Sequence, residues 1–205
     1  MFKILMLMSL VLLPTFARAD DDCIDYKLSP HVAITAPSWT KEVVQPIHQM
    51  DLLHGDVIAT LVDNYDITAD TTDIEGGICV TLKSVDAVVG YEHFLVQIDI
   101  RHAPNTCTYD AILSHEDEHI RAYLGIIDEY GDELNAAISS AANSIMPIFV
   151  EDRIDVDAAV DALNNALQSH PDVILIKQKI KAAEEIRNKR VDALDNGTRI
   201  RQCMK

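Results

Sequence analysis

Positive charge is scarce in this chain relative to negative charge. Its 205 residues contain 17 Lys plus Arg against 33 Asp plus Glu, a formal net charge of -16. A nucleic-acid binder needs a clustered basic face from which counterions can be displaced, so that class of partner is excluded. The same shortage excludes an anionic membrane surface. No Cys-x-x-Cys pair occurs, which removes the thioredoxin-like and zinc-ribbon readings. Internal repeats and low-complexity linkers are absent too. The acid-rich stretches Asp20–Asp22 and Asp63–Asp73 lack the glycine and spacing of an EF-hand loop and read as solvated surface. What remains is ordinary globular usage, 48% apolar and 24% charged, enough to bury a core.

One apolar run stands out, at the very start. Lys3 precedes an apolar stretch from Ile4 to Phe16, and Ala17-Arg18-Ala19 supplies a small-x-small cleavage pattern. The stretch is too short to span a bilayer, which takes about 20 apolar residues. Residues 1–19 therefore read as an export signal, and residues 20–205 as a single domain. Cleavage leaves 15 basic against 33 acidic residues, net -18, in a periplasmic or secreted product without stable membrane association. Four cysteines, Cys23, Cys79, Cys107 and Cys203, then read as two disulfides. The expected pairing is Cys79 with Cys107 and Cys23 with Cys203, the second joining two chain ends that commonly lie close.

Hydrophobic period divides the chain. Residues 20–107 carry strand signals: 31–35 closed by Pro37, 78–82 after a Gly76-Gly77 turn, and 94–101 with Phe94, Val96, Ile98 and Ile100 on one face. The stretch 41–54 is ambiguous because Pro46 opposes a simple helix. From residue 108 the period becomes 3.6, predicting helices over 108–145 (with a break open near Gly125 or Gly131), 155–169 and 172–195. Asn196-Gly197 reads as the last helix's stop; with Thr198 it also matches a glycosylation acceptor, but we read it as a turn. The expected fold is α+β: a small antiparallel or mixed sheet in the N-terminal half, packed on a helical C-terminal half.

The long helix carries the chemistry. His115-Glu116-Asp117-Glu118-His119 is an H-E-x-x-H segment. In helical projection His115, Glu116 and His119 join the arc of Ile112, Leu113, Ile120, Tyr123 and Leu124, while Ser114, Asp117, Glu118 and Arg121 point to water. A carboxylate on an apolar face needs a partner, since burying it alone costs several kcal/mol or neutralises it. A divalent metal is such a partner. The i, i+4 spacing sets both imidazoles about 6 Å apart along the axis, within reach of one ion. Glu116 can then serve as general base toward water at the metal. The alternative is a satisfied Glu–His pair in a helical core.

The run from Cys107 to His119, after strands in an exported chain, resembles the zincin superfamily of metallopeptidases. It is similar to small bacterial families of predicted secreted zinc-dependent proteases. That resemblance implies zinc ligation by His115 and His119, Glu116 as base, a peptide or protein substrate, and an edge strand, here 94–101, that binds extended substrate. The metzincin extension would need Gly at 122 and His at 125; Ala122 and Gly125 exclude that branch and leave a gluzincin-like site with a carboxylate third ligand. Glu184, on the stripe of the last helix with Val173, Ile176, Ile180, Ala183, Val191 and Leu194, ranks first, with Glu133 and Glu151 behind it. Glu133 enters only if the helix folds back at Gly125 or Gly131. Arg187 could stabilise an oxyanion, although Glu184 and Arg187 also read as a plain i, i+3 ion pair. Tyr123, one turn past His119, could donate to a tetrahedral intermediate or simply pack. His31, His48, His54, His93 and His102 read as surface or boundary residues. The alternative function is a non-catalytic exported protein that holds metal or serves a structural or interaction role.

Overall fold

The computed structural model describes residues 21–46 and 54–203; the expected signal segment and His48 lie outside them. Five strands and four α-helices follow one another as β1 His31–Thr35, β2 Thr40–Val44, β3 Gly55–Ile74, β4 Gly77–Ile98, α1 Cys107–Ser144, β5 Ile148–Val150, α2 Val156–Gln168, α3 Pro171–Asp195 and α4 Thr198–Cys203. The fold is α+β, with strands in the N-terminal half and helices in the C-terminal half.

The sheet is built around one long strand. β3 and β4 form an antiparallel hairpin whose two-residue turn, Glu75-Gly76, uses Gly76 at φ 87°, where a glycine avoids the Cβ clash. On the other side of β4 three short strands lie end to end: β5 against 78–80, β1 against 84–88 and β2 against 93–97. β1 and β2 run parallel to β4 and β5 antiparallel, so the sheet is mixed. This corrects the sequence reading in three places. The expected strands 78–82 and 94–101 are parts of a single strand that ends at Ile98, leaving Ile100 about half exposed. β2 and β3 come from stretches without a strand assignment. The Asp63–Asp73 stretch lies along β3, and three of its four acids have cationic partners: Asp63 with Lys177, Asp70 with Lys83 and Asp73 with Arg153.

β4 escaped a simple period-2 reading because it changes face twice. Its inward residues are Ile78, Val80 and Leu82, then Val85, Ala87, Val89 and Tyr91, then Phe94, Val96 and Ile98. Each change of parity coincides with a register shift against β3, where Lys83 and Glu92 have no partner and turn outward. A bulge inserts one extra residue and flips every following side chain to the other face.

The helices cover this inward face in two zones. The larger core joins Val80, Val85 and Val89 to Ile126, Ile138, Leu163, Leu167, Val173 and Ile176. The smaller packs Tyr91, Phe94, Val96 and Ile98 against Ile112 and Ile120. Each fully buried side chain of this size contributes about 1.5–3 kcal/mol. α1 starts at Thr106, whose hydroxyl accepts from the Tyr109 amide at 3.3 Å, and continues unbroken through Gly125 and Gly131. α3 begins with Pro171 at its first position and stops where Asn196 turns left-handed at φ 41°, as its Asn-Gly sequence predicts.

The disulfides differ from the expected pairing: Cys23 joins Cys79 and Cys107 joins Cys203. The chain's two ends are not tied to each other. The N-terminal 3-10 turn is tied to the start of β4, and α4 to the first residue of α1. Among the described residues, no helix is long and apolar enough to cross a membrane.

Candidate metal centre

Ile112, Glu116 and Ile120 succeed one another at i, i+4, i+8, so Glu116 occupies the buried seam of α1 between two core residues, only 4% exposed. His115 and His119, each one residue back, fall at the rim of that seam and turn toward α3. Their Nε2 atoms are 3.3 Å apart. Asp192 of α3 completes a triangle, its Oδ1 lying 3.2 Å from His119 Nε2 and 3.4 Å from His115 Nε2. Among the described residues these three form the group able to hold a metal ion. The dimensions suit zinc: ligands at about 2.0–2.1 Å in tetrahedral array stand roughly 3.3–3.4 Å from one another.

The outer nitrogens are also attended. His119 Nδ1 lies 2.9 Å from Asn188 Oδ1, which fixes Nδ1 as the protonated nitrogen and leaves Nε2 free to ligate. His115 Nδ1 is buried with no hydrogen-bond partner, and the carboxylate nearest it is Asp195 Oδ2 at 3.7 Å. One helix face, Asn188, Asp192 and Asp195 at i, i+4, i+7, thus brings a potential ligand, a hydrogen-bond partner for His119 and a carboxylate 3.7 Å from His115 Nδ1.

A cleft of about 450 Å³ opens beside the triangle, lined among others by His54, Gly55, Asp56, Glu116, Tyr123 and Asp192. Its floor depends on Gly55: a Cβ there would fall 2.5 Å from Glu116 Oε1 and 2.6 Å from Ile112 Cγ2. Burial, and then the negative charges of Asp56, Asp192 and Asp117, push the Glu116 carboxyl up to about 8. Tyr123 contributes a phenol raised by burial and by Glu184, with a hydrogen bond from Asn188 acting the other way.

The remaining sequence candidates fall elsewhere. Glu184 is on α3 two turns before Asp192, where it accepts a 3.0 Å hydrogen bond from the buried Tyr91 hydroxyl. It is not in the metal-capable group. Glu133 pairs with Lys179 at 2.8 Å, four turns along the unbroken α1. Glu151 is exposed just after β5, at the opposite end of β4 from the cleft. Arg187 is bound to Glu129 rather than directed at a reacting centre. The 94–101 stretch is not an edge: 94–97 is flanked by β2 and 94–98 by β3. Asp117 and Glu118 do not simply face water, since they engage Lys41 and Arg199.

Four contributors to the site are not among the sequence candidates: His54, Asn188, Asp192 and Asp195. His54, read as a boundary residue, lines the cleft and lies 3.0 Å from His102 through Nδ1. Asp192 was passed over because the α3 stripe was continued through Val191 and Leu194. Advancing Val173–Ile176–Ile180 by turns through 184 and 188 reaches 192 and 195 equally well, and Leu194 is in fact 73% exposed. No protein-family model, curated protein or solved structure matches this chain.

Proposed function

We propose that the chain is an exported zinc-dependent hydrolase, a peptidase of the zincin type. The observation that carries the reading is the 3.2–3.4 Å triangle of His115, His119 and Asp192 beside the buried Glu116. Two imidazoles and a carboxylate are a donor set that zinc accepts, with a fourth position left for substrate or water. When bound, zinc would supply Lewis acidity, polarising a carbonyl and making water acidic enough to react near neutral pH.

The rest of the chemistry falls to the side chains. Glu116 accepts the proton of the attacking water and delivers it to the departing amine, and its burial keeps the neutral form accessible near neutral pH. Tyr123 lines the same cleft, and its phenol donates to the oxyanion of a tetrahedral intermediate in this reading. The outer edge of β3 pairs with no other described strand, and its Gly55–Val57 segment borders the cleft. An extended peptide can add there as a further strand, the role first expected of 94–101. Two disulfides fit a chain that matures in an oxidising compartment.

Metal analysis of the purified full chain tests the reading. One zinc per chain, lost in His115→Ala and retained in a Glu116→Gln variant that no longer cleaves a peptide library, is expected. Less than about 0.2 zinc per chain after supplementation, unchanged by His115→Ala, refutes it.

A further inference from the structure

The arm that brings Asp192 to the histidines has little apolar burial of its own. α3 is anchored by Val173, Ile176 and Ile180, after which none of its residues is fully buried, and α4 has none either. Ile186 and Leu194 are 68% and 73% exposed, and the half-buried Ile200 alone packs on the smaller core. The stretch from 184 to 200 nevertheless supplies Asn188, Asp192 and Asp195 to the centre. Two of those are carboxylates entering a cleft that Asp56 also lines, so the arm approaches against like charge. Opposing that repulsion are partly exposed ion pairs, Arg187 with Glu129 and Arg199 with Glu118, of a kind that contributes little, the Tyr91–Glu184 hydrogen bond, and one covalent bond. That bond is Cys203 to Cys107, closing a span of 96 residues and fixing α4 two turns before His115.

We propose that the Cys107–Cys203 disulfide is the latch of the metal centre: the three-ligand site assembles when this bond closes and comes apart when it is reduced. The inference rests on the zinc reading above and adds its redox condition. With the bond closed, both ends of the arm are fixed, and the unbound chain has lost most of the freedom it would otherwise give up on placing Asp192. With the bond open, noncovalent contacts alone restrain it, chiefly Ile180, the half-buried Ile200, the Tyr91–Glu184 hydrogen bond and the ion pairs, and two histidines without Asp192 hold zinc weakly. Newly made reduced chain therefore carries an incomplete site. The second disulfide, Cys23–Cys79, ties the N-terminal turn to the other end of β4 and serves as the internal control.

Zinc affinity, measured on the full chain by competition with a chromophoric chelator, tests the latch. Cys107→Ser with Cys203→Ser should weaken zinc binding at least tenfold, and Cys23→Ser with Cys79→Ser by less than threefold. Equal affinity in wild type and the Cys107/Cys203 variant overturns the latch and leaves the zinc reading standing; no zinc in oxidised wild type overturns both. Should the double variant not fold, the wild type provides the reciprocal measurement. A phosphine reductant takes each disulfide to two thiols and becomes the phosphine oxide with oxygen from water. Zinc should then slow or shift reduction of Cys107–Cys203, read by alkylation and mass spectrometry, and leave Cys23–Cys79 unaffected. Reduction of Cys107–Cys203 indifferent to zinc overturns the proposal.

Discussion

Gly55 is where backbone and chemistry come closest, and Gly55→Ala tests that contact. The new methyl would lie 2.5 Å from Glu116 Oε1 and 2.6 Å from Ile112 Cγ2, whereas ordinary contacts begin near 3.4 Å. Something must yield by about 1 Å. Ile112 and Glu116 are 2% and 4% exposed, so neither swings clear alone; both must shift, and the Glu116 carboxyl is displaced with them. Overpacking of this kind costs about 1–3 kcal/mol in urea denaturation. A base displaced by about 1 Å costs roughly a hundredfold in turnover, because proton transfer requires hydrogen-bond geometry. Zinc affinity should change by less than about threefold, since no ligand touches residue 55. The carboxyl carbon of Glu116, observed by 13C NMR, should shift. A variant as stable as wild type, with an unmoved Glu116 signal, would show that the cleft floor is not the close contact described here.

How far the fold was legible depended on whether one rule held along an element. α1 obeys a single period for 38 residues, so its helix and its site face could be read directly. Gly125 and Gly131 looked like breaks, but α1 packs on α3 and β4 and tertiary burial overrides their weak propensity. β4 obeys period 2 only between its bulges at Lys83 and Glu92, so one strand read as two fragments with a gap. β3 was hidden by its acids. It is an edge, and carboxylates along an edge are a means of discouraging unwanted pairing, which composition cannot tell from a loop.

The candidate site was legible where it is local. His115, Glu116 and His119 lie within five residues, and their spacing already fixes a common face. Asp192 is 73 positions beyond His119, and nothing in α1 indicates which carboxylate of α3 will meet it. That depends on how α3 rotates over α1, which is decided by Val173, Ile176 and Ile180 in the larger core. Glu184 and Asp192 share one row of α3, so helical phase alone does not separate them; their height along the helix does, and it sets Asp192 against the histidines. The cysteines failed for the related reason that termini being near one another was assumed rather than derived. In both cases the decisive contact joins segments whose relative position is set by packing elsewhere.

The remaining predictions concern the metal shell and its charge. Asp192→Ala should lower zinc affinity at least about a hundredfold while leaving thermal unfolding of the metal-free chain nearly unchanged, because the side chain is 64% exposed; tight binding in this variant would remove Asp192 from the site. Asn188→Ala should cost about 10–100-fold in zinc affinity, since it frees the His119 tautomer; an affinity equal to wild type counts against the 2.9 Å contact as a positioning bond. The last prediction follows from the sign of the Glu116 shift. Its carboxyl is raised from 4.5 to about 8 in the fold, by burial first and then by Asp56, Asp192 and Asp117, so the folded chain holds this proton more tightly than the unfolded one. The associated stability is complete below about pH 4.5 and is lost as pH rises through 8, a difference on the order of 5 kcal/mol. Urea unfolding of metal-free wild type and Glu116→Gln at pH 5, 7 and 9 isolates the effect, because every other group titrates in both. The glutamine variant should gain on wild type steadily across that range, and added zinc, whose positive charge favours the carboxylate, should narrow the difference. Parallel curves for the two proteins would mean that Glu116 is not confined as its surroundings imply, and the buried base would have to be abandoned along with the reaction assigned to it.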